Sequence, residues 1–136
     1  MIGIDSNILL RLFLADTTVP QDAPGQFALV GKLVTESEEP FFINHIVIVE
    51  TIWVLKQKLK LSKEAIAATL LRLLRLSNVT VHDTVSVAAA LNTFTHHPGD
   101  FSDHLIGEIN RQNGCRTTLT FDKAASKSPN FSELAR

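Results

Sequence analysis

Carboxylates recur in this chain where a strand end or an apolar helix would present them: Asp5 after Met1-Ile-Gly-Ile, Glu50 inside Ile46-Val-Ile-Val-Glu50-Thr-Ile-Trp-Val-Leu55, the pair Asp100 and Asp103, and Asp122 after Thr118-Leu-Thr-Phe. If three or four such groups meet, their repulsion is relieved only by protonation or by a divalent cation. Oxygen-only ligands point to Mg²⁺ or Mn²⁺. Such an ion with open positions suits phosphoryl chemistry, because it lowers the pKa of a water nucleophile and neutralises charge on a phosphodiester oxygen. Taken singly, each aspartate reads equally well as a helix cap or a surface charge. Asp5 and Glu50 stand apart, since their neighbours are apolar; on a helix Glu50 would be flanked by Ile46, Val47, Trp53 and Val54. A carboxylate buried in that frame needs a partner or a cation.

Other chemistries have less support in the residues. Zinc is disfavoured, because His45, His82, His96, His97 and His104 show no HxxxH or HExxH spacing and Cys115 is the single cysteine. No Ser-His-Asp or Cys-His arrangement offers a side-chain nucleophile. A Mg²⁺-dependent phosphohydrolase acting on a small phosphoester would want a Gly-rich phosphate loop, or a second aspartate where Asp5-Ser-Asn7 has none. Lys56, Lys58 and Lys60 follow Glu50 on the same segment and are the first candidates for contacts to a nucleic-acid backbone.

The elements that must position these groups follow from periodicity and punctuation. Short apolar strands are expected over residues 1–5, 41–43, 79–81 and 117–120, with Asp5 and Asp122 at the ends of the first and last. Helices are expected over 7–14, 25–38, 46–59, 62–75, 84–96 and from Ser102 to Asn113-Gly114. Asn44, Ser62 and either Asp83 or Thr84 are placed to cap three of them. Residues 16–24 form a Pro- and Asp-containing connection, and the tail keeps one more apolar stretch around Phe131 to Leu134. Strands alternating with helices predict an α/β fold whose mainly parallel sheet is covered on both faces, with ligands outside the strands' carboxyl ends.

Bulk properties narrow the setting. A chain of 136 residues is one domain's length, and 45% hydrophobic with 20% charged residues excludes disorder for most of it. Thirteen basic against fourteen acidic residues leave a net charge of −1, so any polyanion must be held by a local site. Asp5, Asn7 and Arg11 break the N-terminal run before a signal-type apolar region can form, and no window reaches the roughly 18 apolar residues of a membrane span. With one cysteine, a reducing cytoplasmic setting is expected.

The motifs in their order resemble the PIN-domain ribonucleases, and among them the VapC toxins of prokaryotic toxin–antitoxin pairs. The resemblance rests on Ile2-Gly-Ile-Asp5-Ser-Asn7-Ile-Leu-Leu-Arg11, Val49-Glu50, Asp100-Phe-Ser-Asp103-His-Leu-Ile106 and Thr118-Leu-Thr-Phe-Asp122-Lys. It implies a single three-layer α/β/α domain over residues 1–136 with a short, mainly parallel central sheet. It also implies a metal-binding quartet of Asp5, Glu50, Asp103 and Asp122, with Asn7 hydrogen-bonding inside the site and Asp100 near the ion, directly or through water. Gly107 stands where the family pattern has Ala, a small departure. The implied activity is Mg²⁺- or Mn²⁺-dependent endonucleolytic cleavage of RNA, with water as nucleophile, in a homodimer held inactive by a small antitoxin. A PIN-like module that binds RNA or protein without cutting is the alternative from another class.

Overall fold

The computed structural model describes residues 1–14 and 24–134. Its elements are β1 (Ile2–Gly3), α1 (Ser6–Leu14), α2 (Pro24–Glu36), β2 (Phe41–Asn44), α3 (His45–Gln57), α4 (Lys63–Leu74), β3 (Val79–His82), α5 (Thr84–His96), α6 (Phe101–Gln112), β4 (Thr118–Thr120), a 3-10 turn (Ala125–Lys127) and β5 (Phe131–Glu133). The four expected strands and six expected helices are present, with no end shifted by more than two residues. The connection expected over 16–24 lies, up to residue 23, outside the described residues. Among the described residues no helix is long and apolar enough to cross a membrane.

Every strand pairing is parallel, and two helices lie between each pair of successive strands from β1 to β4, the three-layer α/β/α arrangement. The strands divide into two sheets, β1-β2-β3 and β4-β5. The fifth strand, β5, is the apolar stretch at Phe131, too short and too polar in its flanks to be read as a strand in advance. In the larger sheet the central strand β2 buries Phe41 and Ile43, which meet Leu9 of α1, Ile48 and Leu55 of α3, and Val87 and Phe94 of α5 in one core. In α4 the stripe Ile66, Leu70 and Leu73 faces that core. Phe94 meets Phe101 edge-on at 5.8 Å and ties α5 to α6.

Local capping sets where the helices begin. The Asn44 carboxamide oxygen accepts from the Val47 N–H at 3.0 Å, and the Ser62 hydroxyl accepts from Ala65 N–H at 3.1 Å. Of the two residues offered for α5, Asp83 is the cap, accepting from Ser86 N–H at 3.3 Å and from the Ser86 hydroxyl at 2.7 Å. Because β1, β2 and β3 are parallel, their carboxyl ends lie along one edge. Asn44 pairs in register with His82, and the β1–β2 register continued by two residues puts Asp5 alongside Asn44.

The smaller sheet is anchored by α6. Glu108 is 3% exposed, and its carboxylate accepts from Asn130 Nδ2 at 2.6 Å and from Arg111 Nε and Nη2 at 3.1 and 3.0 Å. Asn110 Nδ2 donates to Thr118 Oγ1 at 2.9 Å, so one helix holds both β4 and the residue before β5. Gly107 is more than a small departure from the family pattern, because its missing side chain makes room for β5. A Cβ there would come within 2.6 Å of the Phe131 ring and 3.1 Å of Asn130 Cβ. Overpacking of this kind costs about 1–3 kcal/mol, against about 1 kcal/mol that Gly to Ala returns inside a helix. Gly107→Ala is therefore expected to lower the unfolding free energy by about 1 kcal/mol in urea denaturation; a more stable variant would show that Phe131 yields without cost.

Candidate metal centre

Each acidic group arrives at the site by a different local rule. Asp5 follows β1 as an exposed residue, and its Oδ1 accepts from Ile8 N–H at 3.1 Å, so it caps α1. Asp122 follows β4 and is also exposed; its Oδ1 accepts from the N–H groups of Ala124 and Ala125 at 2.8 and 3.0 Å. Asp100 occupies the N-cap position of α6 but makes no side-chain cap bond. Its carboxylate instead pairs with the Lys56 ammonium at 2.6 Å, across from α3. Asp103 lies in the first turn of the same helix and is half-buried.

Glu50 corrects an expectation. It is exposed rather than buried in an apolar frame, because Ile46 and Trp53, its neighbours along α3, are themselves 61% and 55% exposed. The apolar face of α3 that packs inward is Val47, Ile48, Thr51, Ile52 and Leu55. Asp5 is likewise exposed, so neither carboxylate is paying a burial cost. Glu50 Oε2 accepts from the Ser6 hydroxyl at 3.4 Å, which places it beside the start of α1. Ser6 went unnoticed in the sequence, although its position beside Asp5 is the kind that reaches a neighbouring carboxylate.

Surface clefts run beside Asp5, Glu50 and Asp100. One is lined by Asp5, Asn7 and Arg11, a second by Ser6, Asn7, Glu50 and Trp53, and a third by Trp53, Lys56, Asp100 and Ser102. Asn7 is shared by the first two and Trp53 by the last two. Electrostatically the focus is Asp103, whose carboxyl is held above the ordinary aspartate range by partial burial first, then by the negative charges of Asp122 and Asp100. Asp122, after β4, and Asp100, at the start of α6, are each near enough to Asp103 to repel its ionised form. Behind Asp103, His104 is buried with Nε2 against the Pro98 carbonyl at 3.1 Å, and burial holds its imidazole below the usual range and so neutral.

The donor set is all oxygen, which suits a hard divalent ion. Among the described residues, however, no three of these groups already stand close enough to grip one ion. Asp103 carries repulsion from Asp122 and Asp100 that a cation would relieve, while Asp5 and Glu50 line two clefts that share Asn7.

Linkage gives this crowding a sign. A carboxyl whose folded-state pKa is raised stabilises the fold below its ordinary pKa, and that contribution is lost as pH rises through the raised value. At neutral pH the ionised Asp103 therefore weighs against the metal-free fold. Asp103→Asn is expected to raise the Tm of chelator-treated protein at pH 7, with the gain shrinking as pH falls into the aspartate titration range. A lower Tm at pH 7 would contradict the crowding.

A family model for the PIN domain matches residues 2–129. No curated protein matches the chain. PIN domains are generally metal-dependent nucleases, and such nucleases usually use divalent ions such as Mg²⁺. The match runs through every element from β1 to the turn before β5, the same span that carries Asp5, Glu50, Asp103 and Asp122, and the chain belongs to the PIN domain family.

Proposed function

We propose that this PIN domain is a metal-dependent endoribonuclease of the VapC toxin type. The observation that carries the reading is the PIN-family match across residues 2–129, beside which Asp103 has its carboxyl raised by partial burial and then by the nearby charges of Asp122 and Asp100, a setting a cation would relieve. Asp5, Glu50, Asp103 and Asp122 hold the ion in this reading, Asp100 reaches it through water, and Asn7 hydrogen-bonds between the two clefts it lines. Bound Mg²⁺ or Mn²⁺ would supply an acidified water and charge neutralisation at a phosphodiester oxygen. Lys56 covers Asp100 in the free protein and is placed to exchange that carboxylate for an RNA phosphate.

The toxin assignment adds partners. A small antitoxin that offers Arg or Lys to these carboxylates would extend what Lys56 does for Asp100. Trp53, exposed at the junction of two clefts with Lys58 Nζ 6.0 Å from its ring centroid, is the aromatic anchor such a segment would meet. A homodimer would cover exposed apolar residues such as Leu71 and Leu76 on and after α4. A cytoplasmic location fits the single exposed Cys115. One observation favours the non-catalytic alternative, namely the lack of a ready three-ligand cage among the described residues.

Cleavage of structured cellular RNAs in Mg²⁺ or Mn²⁺ separates the two readings. The purified chain is expected to give discrete fragments that disappear with chelator. Asp5→Asn and Asp103→Asn should each reduce cleavage by more than about 100-fold, beyond the loss typical of an outer-sphere partner. Fragments that persist in chelator, or undiminished cleavage by both variants, would overturn the assignment.

A further inference from the structure

The parallel pairing of β2 with β3 brings together two histidines that lie 37 residues apart in the chain. His82 is the last residue of β3, and His45 is the first of α3, directly after Asn44, whose backbone pairs with His82. Their Nδ1 atoms are 3.2 Å apart, the ring centroids are 5.2 Å apart, and the planes differ by 30°. The nitrogens are closer than the centroids, so the two Nδ1 edges lean towards each other. With one proton between them they share a hydrogen bond. Without it, two Nδ1 acceptors stand at 3.2 Å, the separation of neighbouring ligands on a tetrahedral Zn²⁺, about 3.3 Å for bonds of about 2.05 Å.

We propose that His45 and His82 form a two-imidazole site for a borderline transition-metal ion of the Zn²⁺ class, distinct in its donors from the carboxylate centre although on the same strand-end edge as Asp5. The site is preorganised, because the β2–β3 ladder fixes one backbone and the Asn44 cap fixes the start of α3. Its charge environment is mixed. Asp83, next to His82 and near both rings, contributes a negative charge but spends its oxygens on Ser86, while the N-terminus of α3 contributes a partial positive one. Among the described residues no third His, Cys or carboxylate completes a cage, so the remaining positions on the ion are open to water. His82 is exposed and His45 half-buried at the surface, which gives an ion a direct approach. Imidazole nitrogen rather than carboxylate oxygen is what selects a different ion here from the one expected at Asp103.

Zn²⁺ binding measured by calorimetry tests the site, in full-length Cys115→Ser protein to remove the exposed thiol and in excess Mg²⁺ to occupy carboxylates. One Zn²⁺ is expected to bind with at least tenfold loss of affinity in His45→Ala and in His82→Ala, and the double variant should be no worse than either single one. His45→Gln and His82→Gln, which keep bulk and polarity, should lose binding equally, with circular dichroism confirming the fold of each. Asp103→Asn should bind Zn²⁺ as the parent does. Unchanged binding in the histidine variants, or loss that follows Asp103 instead, would overturn the site and leave the pair as a shared hydrogen bond.

Discussion

The relation between Asp122 and Asp103 depends on how α6 grips the last strand pair. The β4–β5 sheet shares no ladder with β1-β2-β3, so backbone hydrogen bonding across a single sheet does not set where Asp122 sits. What sets it is a buried carboxylate, Glu108, with Asn130 and Arg111 as its donors, together with the Phe131 ring lying where Gly107 has no side chain. A buried charge left without these donors would be costly, and that cost makes the docking specific. Asp103 lies five residues before Glu108 on the same helix, so one rigid element presents an acid at its first turn and anchors the strand that ends near the second acid.

The site is a compromise between folding and function. Asp5 and Asp122 each spend an oxygen on backbone N–H groups, while Asp100 gives up the capping role its position offers and pairs with Lys56. Each carboxylate is thus satisfied locally, yet Asp103 still sits in a field of like charge. Local bonds orient the aspartates at the strand and helix ends, and the residual repulsion gives a cation something to relieve. The lysine on α3 is a counter-ion that the fold supplies for itself.

Much of this was legible in the sequence, for physical reasons. Caps and strand ends are local: Asn44, Ser62 and Asp83 announce helix starts through hydrogen bonds three residues long, and Asp5 and Asp122 follow short apolar runs. Exposure was less legible. Glu50 has apolar neighbours on its helix, but the face it belongs to is fixed by α1 and the sheet, which leave Trp53 and Ile46 in solvent. Least legible were contacts made by topology: Lys56 with Asp100 and Ser6 with Glu50 are each 44 residues apart, and His45 with His82 is 37. No spacing rule finds such pairs, because parallel crossovers rather than helical periodicity bring them together. Likewise β5 depends on a vacancy at Gly107 that only the packed helix reveals.

If carboxylates on separate elements act on one divalent ion, Mn²⁺ binding followed by electron paramagnetic resonance reads their joint action most directly. Asp103→Asn and Asp122→Asn are each expected to weaken Mn²⁺ binding by at least tenfold, while Asp83→Asn, a cap after β3, leaves it unchanged. Equal Mn²⁺ affinity in all three variants and the parent protein would contradict that joint action.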